Sequence, residues 1–567
     1  MQTKSNILRD NVFTRHPLLS VFTFTAICLL PAMLMRDFTP SNELRYLSIA
    51  DEAIADGHIF AFYNHGIPYA DKPPLYIWCV MLCRILFGQH SCFFLTLFSL
   101  VPAFVITWIM DRWVMKGASA ADRMATAMML LTCIMFLGTA AVIRMDMLMC
   151  MFIVLALYTF SRMYDMDADG ITGNAGYREC SYLLPVWIFL ALFTKGPVGL
   201  LVPPISIAVF LIARRKWRSI GKYLGWKTWG IIAGLSAIWF ICVYFDGGKS
   251  YLDNLLFKQT VGRAVNAFTH SKPFWFYFVA IWWCLAPYCL LLLGAFIAAL
   301  VPSGQIRSDR ETLFICVIAS TVLMLSSFSS KLPIYLVPAF PFIVYLFPMV
   351  LERIGGRRWM LWAVGIPAGI FTLAGAAAIL VLGGIVKINA LEQLFAEYPF
   401  IGYTPVKIAA ILLTAGNALA IWFLIRRRNW NLPVFLVGSS LLLTVYAASG
   451  VLTKANAYLG YGAICREVPE GTDVFTLYVS RPENMDVYLG RQITDYEKNP
   501  DSLVNDVLSR TPGDNPVTII TYDSRIDSSP ELKRLFRNNT VTCSGPFSMI
   551  TCKPASQGIS DLRNLSD

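Results

Sequence analysis

Six short polar elements interrupt an otherwise apolar sequence, and their residue types suit one kind of chemistry. They are Asn42-Glu43-Leu44-Arg45-Tyr46, Asp71-Lys72 ahead of Pro73-Pro74, Arg144 with Asp146, Lys195 in Thr194-Lys195-Gly196-Pro197, Arg263 with His270, and Lys331 with Tyr335 in Ser330-Lys331-Leu332-Pro333-Ile334-Tyr335. A charge flanked by hydrocarbon-spanning segments is costly unless it has a partner or a water-filled cavity. Any one of these residues reads equally well as an interfacial anchor or a structural ion pair. Gathered on one side of a membrane, they read as the lining of a shared cavity. Lysine offers a point charge and arginine a forked pair of donors, so the cations suit an anionic, phosphate-bearing ligand. The carboxylates of Glu43 and Asp146 suit accepting a proton from an attacking group, or steadying positive charge that develops on a sugar ring. Asp71 and His270 are of the types that bind a zinc-like divalent ion. Two ligands do not make a site, and an interfacial histidine is the competing reading. The aromatic run Phe274-Trp275-Phe276-Tyr277 is most simply a membrane-interface belt.

The elements that must position these residues are membrane spans. Of 567 residues, 56% are hydrophobic and only 15% charged, with a mean hydropathy of +0.57; soluble domains carry about a quarter charged residues. Apolar runs near the ~20 residues needed to cross a bilayer recur from about Leu18 to Leu452, and only the last hundred or so residues have soluble composition. The formal charge of +11 does not indicate nucleic-acid binding, because the basic residues fall in short clusters between apolar runs, as in cytoplasmic loops. Lys4, Arg9 and Arg15 precede the run 17–35, which lacks a small-residue cleavage site and reads as an uncleaved first span with the N-terminus inside. Most of the fourteen cysteines sit in apolar segments as small hydrophobes. Cys543 and Cys552 flank Ser544-Gly545-Pro546, and either close a disulfide in an oxidising compartment or remain two thiols.

The clusters Arg112–Arg123, Arg214–Lys227, Arg307–Arg310, Arg353–Arg358 and Arg426–Arg428 all fall inside if Pro73–Gly88, short and opened by Pro-Pro, lies in the interface and does not span. The spans then run near 17–35, 92–111, 124–141, 147–163, 181–193, 197–213, 228–245, 274–300, 312–328, 333–351, 359–385, 405–425 and 431–452, about thirteen in all. This predicts an all-α polytopic membrane domain over 1–452, with an outer loop 36–91 carrying interfacial helices. Residues 453–567 read as a small periplasmic α/β domain, with strands at Val474–Ser480 and Val517–Tyr522, a helix at Glu531–Arg537 and a closing hairpin at Cys543–Cys552. The same parity puts every polar element named above on the outer side.

Taken in order, these motifs resemble the aminoarabinose transferase branch of the protein mannosyltransferase-like superfamily. The resemblance covers about residues 17–350 and is specific as a set. It implies the GT-C fold, and transfer of a sugar from an undecaprenyl-phosphate donor at the outer face of a bacterial inner membrane. The acceptor it implies is lipid A phosphate, and the sugar 4-amino-4-deoxy-L-arabinose or a similar one, a modification that weakens binding of polymyxin. By position, Asp71 and His270 match the family's metal pair, Lys72 its donor-phosphate lysine, Asp146 its second cavity carboxylate and Tyr335 its Lys-Leu-Pro-x-Tyr element. Arg45 and Lys331 join Lys72 as expected phosphate ligands, and Asn42, Tyr46, Arg144, Lys195 and Arg263 as cavity residues. The family usually has Asp-Glu where this chain has Asn42-Glu43. Either Glu43 takes over from the missing aspartate or the step needs no strong base, so the amide favours an acceptor already ionised at neutral pH, such as a phosphate, or else marks a different acceptor altogether. The rival readings are a glycosyltransferase acting on protein or polysaccharide, and a transporter or flippase of lipid-linked substrates. A transporter would place paired charges near the bilayer midplane in repeated halves.

Overall fold

The computed structural model describes residues 15–256, 272–301, 307–354, 357–427, 429–511 and 513–553. Nine helices among the described residues are long and apolar enough to cross a membrane, from Pro17–Met35 to Asn431–Leu459. A further apolar helix pair, Ala120–Thr132 and Ile134–Ala140, is bent by 74° at a short break and is either a broken crossing or a re-entrant loop. The remaining expected spans are also helical. The segment 181–193 lies within the helix Ala175–Lys195, 197–213 forms Pro197–Ala213, and 274–300 forms two pieces, Phe276–Cys284 and Cys289–Leu300.

Burial divides the bundle. The helix Asp146–Ala168 has 78% of its apolar window buried in protein, whereas Arg358–Leu382 has 17%. The first is a central element surrounded by its neighbours, and the second turns most of its surface outward. Pro74–Phe87 has 14 residues, a rise of about 21 Å, which falls short of a ~30 Å hydrocarbon core. Pro73 precedes it in extended conformation and Gly88 ends it at φ 67°, a left-handed C-cap that glycine adopts without strain.

The chain from 473 to 552 forms a five-stranded sheet of order β4-β3-β5-β7-β6. Its strands are β3 (Asp473–Leu477), β4 (Thr494–Asp495), β5 (Val517–Tyr522), β6 (Thr542–Ser544) and β7 (Phe547–Cys552), following the two-residue strands β1 (Tyr63–Asn64) and β2 (Ile67–Pro68) of the first loop. Phe475, Ile519 and Ile550 pack on Leu503, Leu532 and Phe536 of the helices Pro500–Ser509 and Pro530–Asn538. Val474, Ile520 and Met549, on the opposite face, join the core of the helical bundle. With both faces covered, β5 is buried from Val517 to Thr521 without alternating. In the β6–β7 hairpin Cys543 faces Ser548, while Cys552 faces Val517 of β5. That register keeps the two cysteines from facing each other, and both are free thiols.

Candidate active site

Two helix ends build the centre of the site. Asp146 is the first residue of its helix and Lys195 the last of Ala175–Lys195, so the carboxylate meets a positive dipole end and the ammonium a negative one. Lys195 is held at a tip because Gly196 follows at φ 91°, ψ −145°, a conformation closed to residues with a Cβ. Pro197 then starts the next helix at a position that needs no N–H. Gly199 lets the two helices close, since a Cβ there would lie 2.2 Å from the carbonyl oxygen of Ala191.

Lys195 Nζ donates to Asp146 Oδ1, and Arg144 Nε donates to Asp146 Oδ2 at 3.3 Å. The ammonium of Lys195 also lies 4.5 Å from the centre of the Tyr335 ring, within cation–π range. Lys72 contributes to the field at both Asp146 and Lys195, and its own Nζ lies 3.1 Å from Asp71 Oδ2. Asp71 accepts from the Tyr69 hydroxyl at 3.4 Å, and the Arg45 guanidinium lies 5.5 Å from the centre of the Tyr69 ring. Arg45 also donates to Asn42 Oδ1 at 3.3 Å. Four cations, Arg45, Lys72, Arg144 and Lys195, therefore surround two carboxylates and leave positive charge in excess.

Beside this cluster is a cavity of about 370 Å³. Asp71, Lys72 and Lys195 line its polar end, and Leu200, Ile232 and Trp239 are among the residues of its apolar wall. A cationic end on an apolar trough fits a molecule with an anionic head and a hydrocarbon tail. Asp146 is 1% exposed and not among the lining residues; it meets the cavity through Lys195. Expected as a catalytic carboxylate, Asp146 lies behind the cations, accepting from Lys195 and Arg144.

Glu43 differs from its expected role in the same way. It is 1% exposed, and both oxygens are engaged. Oε1 accepts from Arg36 Nη2 at 3.0 Å and from the Ile143 N–H at 2.9 Å, while Oε2 accepts from Arg36 Nη1 at 2.5 Å and from the Thr39 N–H at 2.8 Å. Four donors fill the roughly four lone-pair sites of a carboxylate, so no site is left to take a proton from an acceptor. Glu43 instead clamps the turn leading into Arg144 and Asp146, which Ser99 grips from the other side by donating to the carbonyls of Val142 and Arg144 at 2.7 and 3.1 Å. Sequence reasoning missed Arg36 and Ser99 as partners of this turn. Arg36 had a usable signal, a cation ending the first apolar run seven residues before a lone glutamate.

Lys331 is 3% exposed and donates to the carbonyls of Lys272, at 2.9 Å, and Phe328. Its ammonium thus covers the C-terminal end of the helix Asp309–Ser327, which replaces the expected contact with phosphate. Tyr46 is buried, edge-on to Tyr76 at 5.8 Å. The Tyr76 hydroxyl is buried without a hydrogen-bond partner among the described residues, and burial raises its pKa well above the ordinary tyrosine value.

Arg263 and His270 lie outside the described residues, so of the expected metal pair the structure places Asp71 alone. Its carboxylate faces an ammonium, and among the described residues no three His, Cys, Asp or Glu side chains converge to hold an ion. The described residues do not by themselves fit a metal.

The architecture is the GT-C fold. It matches the crystal structure of ArnT from Cupriavidus metallidurans bound to undecaprenyl phosphate, with a TM-score of 0.69 over 94% of this chain and 98% of that one, at 17% identity. No family model matches the chain. Among curated proteins it is similar to the undecaprenyl phosphate-alpha-4-amino-4-deoxy-L-arabinose arabinosyl transferase of Edwardsiella ictaluri, 26% identical over 350 residues, which is 60% of each chain. The transferase of the same name from Pseudomonas aeruginosa is 23% identical over 410 residues, 69% of this chain and 67% of that one. The chain thus spans about 60% of the length of the first curated relatives it matches.

Proposed function

We propose that this protein is a glycosyltransferase of a bacterial inner membrane that moves 4-amino-4-deoxy-L-arabinose, or a similar sugar, from undecaprenyl phosphate to a phosphate of lipid A. The observation that carries the reading is the amphipathic cavity, with Lys72 and Lys195 at one end and an apolar wall at the other. The N-terminus is cytoplasmic in this reading, and the site and the C-terminal sheet domain face the periplasm.

The donor's polyprenyl chain lies along the apolar wall while Lys72 and Lys195 hold its phosphate. An oxygen of the acceptor phosphate attacks the anomeric carbon from the face opposite the donor phosphate. The bond from that carbon to the donor oxygen breaks, its electron pair leaves with undecaprenyl phosphate, and configuration inverts. Charge grows on the leaving phosphate, where the two lysines are already placed. The attacking phosphate is ionised at neutral pH, so the reaction asks for no general base, consistent with Asn42 and with a Glu43 whose lone pairs are filled.

Mass spectrometry of lipid A from cells with and without the gene tests this reading. A mass increment on lipid A phosphate that vanishes on deletion is expected, and its size names the sugar. Unchanged lipid A with accumulation of a polyprenyl-phosphate sugar would overturn the acceptor and retain the enzyme class. No change in either would overturn both.

A further inference from the structure

The loop that delivers Lys72 is held by a residue outside the cluster described above. Asp246, on the helix Trp226–Asp253, accepts three consecutive backbone N–H groups on one oxygen: Ile59 at 2.9 Å, Phe60 at 2.6 Å and Ala61 at 2.8 Å from Oδ2. Its other oxygen lies 2.9 Å from His58 Nδ1. Beyond a break in the helix at Gly248 (φ 74°, ψ −178°), the Tyr251 hydroxyl accepts from the Phe62 N–H and donates to the carbonyl of Tyr69, both at 3.0 Å. Gly247 makes the approach possible, since a Cβ there would meet the Ala61 side chain at 2.5 Å. Three amides in succession turned onto one carboxylate oxygen form an anion nest, a loop geometry that exists because the charge is there.

This grip acts at both ends of one segment. Asp246 fixes residues 58–61 and Tyr251 fixes 62 and 69, after which the chain runs into Ala70, Asp71 and Lys72. Ala61 and Ala70 pack in one buried cluster with Trp239, Val243 and Tyr251 of the gripping helix and with Phe189 and Phe193 of the helix that ends in Lys195. The helix that holds the loop also lines the cavity through Ile232, Ser236 and Trp239. Loop, helix and cavity wall thus share one packed cluster.

We infer that Asp246 is a positioning residue that fixes Lys72 in the lining of the cavity by gathering the amides of residues 59–61, with Tyr251 completing the hold. The inference rests on the proposed function and assigns a further residue to it. Asp246 lines no part of the cavity, and it reaches the reaction only through the loop.

The test is steady-state transfer from the lipid-linked sugar by the full-length enzyme in detergent, with thermal unfolding measured on the same samples. Asp246→Ala is expected to raise the KM for the donor about tenfold, the scale of one lost hydrogen bond to a charged group, with a smaller change in kcat. Asp246→Asn keeps an oxygen toward the three amides and is expected to recover most of that loss. Tyr251→Phe removes the second hold without touching the nest and is expected to raise KM in the same direction by a smaller factor. Wild-type KM in Asp246→Ala would overturn the inference. So would a loss of kcat and melting temperature with KM unchanged, which would mark a merely structural residue. A wild-type enzyme that transfers nothing from this donor would overturn the proposed function and the inference with it.

Discussion

Two of the cavities among the described residues are similar in size and differ in what lines them. The first, about 370 Å³, has Asp71, Lys72 and Lys195 at one end. The second, about 420 Å³, lies between the helices Phe276–Cys284, Cys289–Leu300 and Asp309–Ser327, and its lining includes Phe278, Trp282, Phe296 and Leu323 with no charged residue. Room for hydrocarbon is common in a membrane bundle and identifies nothing. What separates the two is the architecture behind the lysines: a glycine turn that puts Lys195 at a helix end, a carboxylate that faces it, and a loop that brings Lys72 alongside.

The most damaging way to break that comparison is to remove the carboxylate. Asp146→Asn leaves Lys195 and Arg144 facing each other without neutralisation, and kcat/KM is expected to fall by about 10²–10³, the range seen when one preorganised electrostatic group is lost. Lys195→Ala should cost a similar amount. The double variant should be little worse than either single one, because both remove the same unit. Additive losses in a double-mutant cycle would show that Asp146 has a function apart from Lys195.

Glu43→Gln comes next, and its effect is expected in stability. Breaking a buried ion pair from one side costs about 3–5 kcal/mol, and Arg36 would lose its bidentate partner. The melting temperature should drop clearly while kcat per folded molecule stays within a few-fold of wild type. A stable variant without activity would return Glu43 to the reacting groups.

Lys72→Ala removes one of the two lysines on the cavity and is expected to lower transfer by about 10²-fold, through both a higher donor KM and a lower kcat. A change in KM alone would place Lys72 in ground-state binding only.

A smaller effect is expected where the sheet domain meets the first loop. Asp486 accepts from the Ser48 hydroxyl at 2.8 Å and lies 3.8 Å from His65 Nε2, with Asp51 contributing like charge. Burial raises the pKa of its carboxyl above the ordinary aspartate value. An acid whose folded-state pKa is raised contributes stability that is full below its unfolded pKa and is lost as pH rises through the folded value. Asp486→Asn keeps an oxygen for Ser48 and cannot ionise. Its melting temperature relative to wild type should therefore climb as pH rises from acid to neutral. An offset that does not change with pH would mean that the carboxyl titrates as it does in the unfolded chain.

The polar elements of the sequence were legible as a set because charges beside apolar runs are rare and conspicuous. Asp71, Lys72, Arg144, Asp146, Lys195 and Tyr335 do come together, and Pro73–Gly88 is a helix too short to span. Roles within the set were not legible. Nothing in Glu43 or Lys331 as residue types tells that one is saturated by Arg36 and two amides, or that the other is spent on two carbonyls. Those outcomes depend on which backbone groups tertiary packing leaves without partners. The hold of Asp246 on the first loop spans more than 180 residues, beyond any local pattern. The sheet domain was read from β-branched runs, and its strand register, which decides the fate of Cys543 and Cys552, was not.

The smallest effects should come from positions that resemble the site in composition and lack its architecture. Arg84 sits on the same short helix as Tyr76 and pairs with Asp51 at 3.3 Å, but both side chains are partly exposed. Such pairs contribute about 0–1 kcal/mol. Trp282 lines the apolar cavity and is half exposed. Arg84→Ala and Trp282→Ala should each leave transfer within about twofold of wild type, the effect of about 0.5 kcal/mol at surface sites. Arg84→Ala is the closer control for Lys72→Ala, since both remove a cation flanking or within the same short helix, twelve residues apart. If it cost as much as Lys72→Ala, the general positive field of this face would be recognising the donor, and the geometry of the cavity would not. A large loss from Trp282→Ala would give the second cavity a place in the reaction, and the contrast between the two would fall.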